Sequence, residues 1–334
     1  MSTSSPATHL ELSNLVDPNV QALLIGDNHL HLEAIEHITT QWEKLRELGF
    51  DTLGAEGPES PLVRMTFGHA KAFARMSPEI AVNYLADSLK GKDISPMFEK
   101  LRPGITRAYA ANYVGAMMAG FEIAFLDNLD GDLFGTETRN NSISNKTISL
   151  VEAGRKPVVM VGASHLFDLR NEPPGIAARL ENQVAIQQII LAGEVMSRLH
   201  GNEDGFPATA LALALGRERQ WFAVKPDDKR IYFHVPNQEN LTLRDIAERI
   251  VAYTKCEAEL LAQHGLQTKT PNVNAFYWEA RLSRQIQNPP EFPPYKEITF
   301  PLDHRRDGIG LDLRTIPGQG SGTAKQMRYE PACL

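Results

Sequence analysis

The chain has 334 residues, of which 42% are hydrophobic and 22% charged, an ordinary globular composition that excludes a disordered or fibrous protein. No run approaches the ~18 consecutive apolar residues of a membrane-spanning helix. Its formal net charge of −7 argues against a nucleic-acid-binding role, which needs a basic face. The two cysteines, Cys256 and Cys333, exclude a disulfide framework and any CxxC metal knuckle. The start, MSTSSPATHLELSN, has neither a basic nor an apolar leader region. That reads as a cytoplasmic protein, or as one exported as an effector without a Sec signal.

In chain order, Ala22 to Ile25 is a short apolar run closed by Gly26, which predicts a buried strand. Ile35, Ile38, Trp42, Leu45 and Leu48 recur at helical spacing, and Gly49 follows as a stop, so one amphipathic helix is expected. A second strand is expected from about Asp51 to Ala55, before Glu56-Gly57-Pro58. Strand, helix and strand with short connections indicate a βαβ unit in a parallel sheet. Pro61 to Gly120 reads as helical, with a Pro/Gly break at Leu101 to Gly104. Further strands are expected at Glu122 to Leu126, Pro157 to Val161 and Ala185 to Leu191. Helices are expected from Asn140 to Ala153 and from Pro173-Pro174 through Leu180. A hairpin turns at Pro226-Asp227-Asp228, and a helix opened by Thr242 and Asp245 runs toward Gly265.

These elements predict an α/β fold with a mixed, mainly parallel central sheet and helices on both faces, built as two pseudo-duplicated βαβ halves. Residues 20–265 are expected to form one domain. Residues 1–19 are expected to be a flexible segment, and 266–334 an irregular, Pro-rich extension and tail.

Two strand ends are alike: Gly26-Asp27-Asn28-His29 and Gly162-Ala163-Ser164-His165. Each is a buried strand, a glycine, and a histidine three residues on. Ligands of open α/β sheets bind at the carboxyl ends of strands. Twenty-seven residues after His29 lies Glu56, and twenty-nine after His165 lies Glu194, which extends the likeness.

With these residues in view, the chain resembles the TIKI/TraB superfamily, which also takes in erythromycin esterases, ChaN-like haem-uptake proteins and part of a bacterial mitogenic toxin. That pattern has two GxxH motifs, a glutamate after the second strand and an arginine before the second GxxH strand. Gly26 to His29, Glu56, Arg139-Asn140 and Gly162 to His165 match it, and Asp27 stands where many relatives carry an acid. The resemblance spans about residues 20 to 195 and implies a hydrolase of amide or ester bonds acting on a peptide or small molecule.

The site expected from these residues is Asp27, His29, Glu56, Arg139 and His165. Two imidazoles and a carboxylate suit a divalent metal such as Mn²⁺, Zn²⁺ or Co²⁺, with His29, Glu56 and His165 as ligands and a bound water as nucleophile. Asp27 would be a fourth ligand or orient His29, and Arg139 would hold a substrate carboxylate or an oxyanion. A metal-free version uses a histidine or Glu56 as general base. One rival reading takes Asp27-x-His29-x-His31 as the binuclear-metal motif of an amidohydrolase or PHP-type phosphoesterase in a TIM barrel. Another is a non-catalytic haem-binding or effector protein on the same fold. His31, Glu33 and His37 are expected on a solvated helix face, and Asp127, Asp130 and Asp132 in a solvated turn.

Overall fold

The computed structural model describes residues 11–27, 29, 31–58, 60–89, 95–127, 136–166, 174–192, 221–225, 228–235, 242–263, 274–287 and 296–298. Eight strands form one sheet: β1 (Ala22–Asp27), β2 (Thr52–Pro58), β3 (Glu122–Asp127), β4 (Pro157–Gly162), β5 (Ile186–Ala192), β6 (Phe222–Lys225), β7 (Arg230–His234) and β8 (Lys296–Ile298). Their order is β3-β2-β4-β1-β5-β7-β6-β8. The first six in that order are parallel, and β6 and β8 pair antiparallel at one edge. The sheet is thus mixed and mainly parallel, as expected, and open rather than closed into the barrel that the amidohydrolase reading requires.

β1 and β4 are buried throughout, as suits central parallel strands covered on both faces. Leu23, Ile25, Val158 and Met160 point to one face. There they meet α1 (Leu32–Thr39), α2 (Trp42–Glu47) and α6 (Ile105–Met118). Ala22, Leu24, Val159 and Val161 point to the other, against α7 (Thr136–Glu152) and α8 (Ile176–Leu180). The path from β1 to β2 skips over β4, and the path from β4 to β5 skips over β1 in the opposite direction. Right-handed crossovers in opposite directions put their helices on opposite faces. The two halves are therefore arranged as a local two-fold about the β1–β4 pair.

Several expectations need correction. The single helix after β1 is two, because Thr40 interrupts it: its hydroxyl and its N–H both bond the His37 carbonyl, closing the first helix. Both pieces still bury the same apolar face through Ile35, Ile38, Trp42 and Leu45. Trp42 also donates its indole N–H to Asn112 at 2.9 Å, so α2 stays locked to α6. Residues 11–19 are not a flexible segment where they are described. Leu12 is fully buried, and its N–H donates to His37 Nε2 at 3.3 Å. The expected irregular extension contains α10 (Ala275–Gln287), whose Trp278 packs on Ile246 and Ile250 of α9 (Leu243–Gln263), and the edge strand β8. Gly308 to Leu334 lie outside the described residues, as does Glu194.

The helical stretch after β2 becomes α3 (Pro61–Ala74), α4 (Pro78–Leu89), α5 (Ser95–Leu101) and α6. Ser60 caps α3 by accepting from Val63 N–H at 3.1 Å, with Pro61 at the first helical position. α3, α4 and α6 enclose an apolar cluster of their own, including Phe67, Leu85 and Val114. This helical cap stands beside the carboxyl ends of β1, β2 and β3.

Candidate active site

The two GxxH glycines have a shared structural cause. A Cβ on Gly26 would meet Leu166 at 2.9 Å and the Ala163 backbone at 3.2 Å. A Cβ on Gly162 would meet His29 Nε2 at 2.7 Å and Glu56 Oε2 at 3.5 Å. Each glycine leaves room for the turn that follows the other, so the two motifs interlock across the central strand pair.

His29 sits in the turn after β1, about a quarter exposed (27%). Its Nδ1 lies 2.8 Å from Asp27 Oδ1 and 3.1 Å from the Tyr109 hydroxyl. That hydroxyl donates its own proton to Asp27 Oδ2 at 2.5 Å, so toward His29 it can only accept. Nδ1 therefore carries a proton, and Nε2 is the atom left facing the site. Burial disfavours the imidazolium, but the buried Asp27 charge beside it more than compensates, with a further contribution from Glu56. The His29 pKa rises from 6.5 to about 9. Burial and the same Asp27 charge push the Tyr109 phenol well above its ordinary range, so it stays a neutral donor.

Glu56, at the end of β2, is the hub. One oxygen, Oε2, accepts the Gly162 N–H at 2.6 Å and faces His29 Nε2 at 4.0 Å. The other, Oε1, accepts from Arg139 and lies 3.3 Å from His165 Nε2. Burial alone would raise its pKa, but His165, His29 and Arg139 hold the carboxyl well below its usual range. Arg139, on α7, also donates from Nε to Asp127 Oδ2 at 2.7 Å. Its guanidinium is thus engaged with two protein carboxylates rather than presented to a substrate.

His165 is buried in the 3₁₀ turn after β4, and its Nδ1 is 2.6 Å from Asn140 Oδ1. Asn140 Nδ2 donates to the Pro174 carbonyl, an acceptor only, at 3.2 Å. This fixes the amide's orientation, so His165 Nδ1 donates and Nε2 faces Glu56.

All five expected residues therefore come together. They do so as a network of ion pairs, and the expected metal set is corrected. Among the described residues no group of three or more His, Cys, Asp or Glu is placed to hold a metal ion. Both Glu56 oxygens already accept N–H donors, one from Arg139 and one from Gly162. The rival motif fails as well. β1 ends at Asp27, so strand alternation does not carry to His31. His31 is buried just before α1, with Nε2 3.9 Å from Glu33 Oε2, and Glu33 pairs with Arg102 at 2.8 Å. His31, Glu33 and His37 are buried rather than solvated, and so is Asp127. Asp130 and Asp132 lie outside the described residues.

A cavity of about 250 Å³ opens onto Asp27, His29 and Glu56 from the helical cap. Phe67, Phe98, Tyr109, Tyr113 and Phe125 line it. Sequence reasoning missed this wall, Tyr109 and Tyr113, and it noted Asn140 only as the neighbour of Arg139 without a role of its own. The available signal was Tyr109 and Tyr113, one helical turn apart in a segment predicted helical. Nothing in the sequence said which strand end they would face. Among the described residues no helix is long and apolar enough to cross a membrane.

The chain matches no family model and no curated protein. Among solved structures it is similar to the type III effector HopBA1, at 13% identity and a TM-score of 0.41, over 65% of this chain and 88% of that one. It is also similar to RRSP, a MARTX toxin effector domain from Vibrio vulnificus, at 21% identity and a TM-score of 0.30. That match covers 49% of this chain and 32% of the other.

Proposed function

We propose that the protein hydrolyses an ester or amide bond with water as nucleophile, using His29 and Glu56 without a bound metal. The observation that carries this reading is the facing pair at the cavity floor. An ionised Glu56 oxygen, Oε2, and His29 Nε2 stand 4.0 Å apart, a gap that one water can bridge. The resemblance to the TIKI/TraB superfamily supports the same reaction class.

In this scheme Glu56 Oε2 takes a proton from water as the water oxygen bonds to the substrate carbonyl carbon. The bond to the leaving oxygen or nitrogen breaks as His29 Nε2 delivers its proton there. Transfer of the proton from Glu56 to His29 restores the starting state, so protons balance over the cycle. Asp27 and Tyr109 hold His29 at Nδ1. Arg139, His165 and the Gly162 N–H hold Glu56 in place and ionised, which makes them positioning groups.

The test is hydrolysis of 4-nitrophenyl esters and anilides by chelator-treated protein. Activity is expected to survive chelation and to fall about 10²- to 10⁴-fold in His29→Ala and Glu56→Gln, with circular dichroism unchanged. Activity that is lost on chelation and restored by stoichiometric Mn²⁺, Zn²⁺ or Co²⁺ would overturn the metal-free scheme. Unchanged activity in both variants would overturn the site.

A further inference from the structure

The cavity's charges are unevenly placed. Among the described residues no Lys or Arg lines it, and its charged lining residues are Asp27, His29 and Glu56. Both carboxylates are already compensated, Asp27 by His29 and Glu56 by Arg139 and His165. Among the described lining residues a substrate anion would therefore find no cation, and a substrate cation no unpaired acid. The remainder is mostly aromatic and aliphatic, with Thr66, Ser88, Thr106 and Asn112 as its uncharged polar members besides the two tyrosines. Phe67 packs edge-on to both Tyr113 and Phe125, with ring centroids 5.2 and 4.9 Å away, and the Phe98 ring lies 5.2 Å from His29.

One polar atom on this wall has a distinct place. Tyr113 lines the cavity, yet among the described residues its hydroxyl makes no hydrogen bond, whereas the Tyr109 hydroxyl is engaged with both Asp27 and His29. Partly buried phenols ordinarily find a partner. With burial and two nearby carboxylates raising its pKa, Tyr113 stays protonated and is a donor to whatever enters.

From this we infer that the cavity takes the neutral, apolar acyl or aryl-acyl group of the substrate, with the Tyr113 hydroxyl donating to its carbonyl oxygen. Size agrees: about 250 Å³ lies near the lower end of small-molecule pockets, at about 300 Å³, which suits a small group on the scale of hexanoyl or phenylacetyl. The substrate class is thus an ester or amide of an uncharged hydrophobic acid. This inference rests on the hydrolase reading for its chemistry but not for its binding step.

The experiment therefore has two arms. In the first, wild-type kcat/KM is compared for the 4-nitrophenyl esters of acetate, hexanoate, phenylacetate and monosuccinate. Hexanoate and phenylacetate are expected to exceed acetate by about tenfold or more, and the anionic monosuccinate to fall below both. In the second, binding of N-methyl-2-phenylacetamide is measured by calorimetry on wild type, Glu56→Gln and Tyr113→Phe. Binding is expected to persist in Glu56→Gln and to weaken about three- to tenfold in Tyr113→Phe, which loses one hydrogen bond. Because the hydroxyl has no partner among the described residues, the thermal midpoint of Tyr113→Phe should equal that of wild type.

Esters hydrolysed without apolar preference, or with monosuccinate favoured, would overturn the substrate class and leave the hydrolase reading standing. N-methyl-2-phenylacetamide binding that depends on Tyr113, in a protein that hydrolyses none of the esters, would overturn the hydrolase reading and uphold this one. Unaltered binding and turnover in Tyr113→Phe would remove the hydroxyl from the inference.

Discussion

The two GxxH turns share a sequence pattern and a position in the fold, and they differ in what holds the histidine. Asp27 holds His29, so its imidazole is charged near neutrality and faces a cavity. Asn140, a neutral amide from α7, holds His165, which is buried behind Glu56 and does not line the cavity. The residue directly after the glycine is Asp in the first turn and Ala in the second. One turn thus presents an acid-paired histidine to the cavity, and the other sets an amide-held histidine against Glu56.

The largest effect should come from breaking the first turn's chemistry. His29→Ala is expected to cost about 10²- to 10⁴-fold in kcat, while His165→Asn, which leaves Glu56 its Arg139 and Gly162 contacts, should cost distinctly less. Equal losses would erase the distinction between the turns. The glycines sharpen it differently. Gly162→Ala drives a methyl into His29 Nε2, so activity should fall more than stability. Gly26→Ala drives one into Leu166 and the Ala163 backbone, so stability should fall by about 1–3 kcal/mol, as read by denaturant titration.

The pH dependence follows from His29. As a proton donor it must be charged, so activity should decline as pH rises through about 9. Stability moves in the same direction. The folded pKa lies above 6.5, so the stabilisation is full below 6.5 and is lost as pH rises toward 9. Asp27→Asn should abolish that slope in a plot of thermal midpoint against pH. The smallest effect expected is that of Tyr109→Phe. It leaves Asp27 Oδ2 without its donor in a buried place, for about 1–3 kcal/mol of stability and a lower pH at which activity declines.

Much of this was legible in the chain because the signals were local. Apolar runs ending in glycine marked β1 and β4, and the same strand ends drew attention to Asp27, His29 and Glu56. Local signals failed where the answer lay across the molecule. His31, Glu33 and Asp127 look like solvated residues by position, yet each is buried against a partner tens of residues away or beneath a neighbouring helix. Tyr109 carries no motif, and Asn140 stood out only as the neighbour of Arg139. Their importance comes from α7 and α6 lying over opposite faces of the strand pair.

By itself, then, the sequence determined the strands from β1 to β5, the mainly parallel α/β class and the five polar residues of the candidate site, since burial periodicity and strand-end glycines are written within a few residues of each other. Only the tertiary structure decided how those five residues are wired. It placed Arg139 on Glu56, where a metal would have needed that carboxylate free, and it assigned a carboxylate to one histidine and an amide to the other. It also raised an aromatic wall from the helical cap. Each of these depends on strand order and on which face a crossover takes, and those are set by packing across the whole sheet.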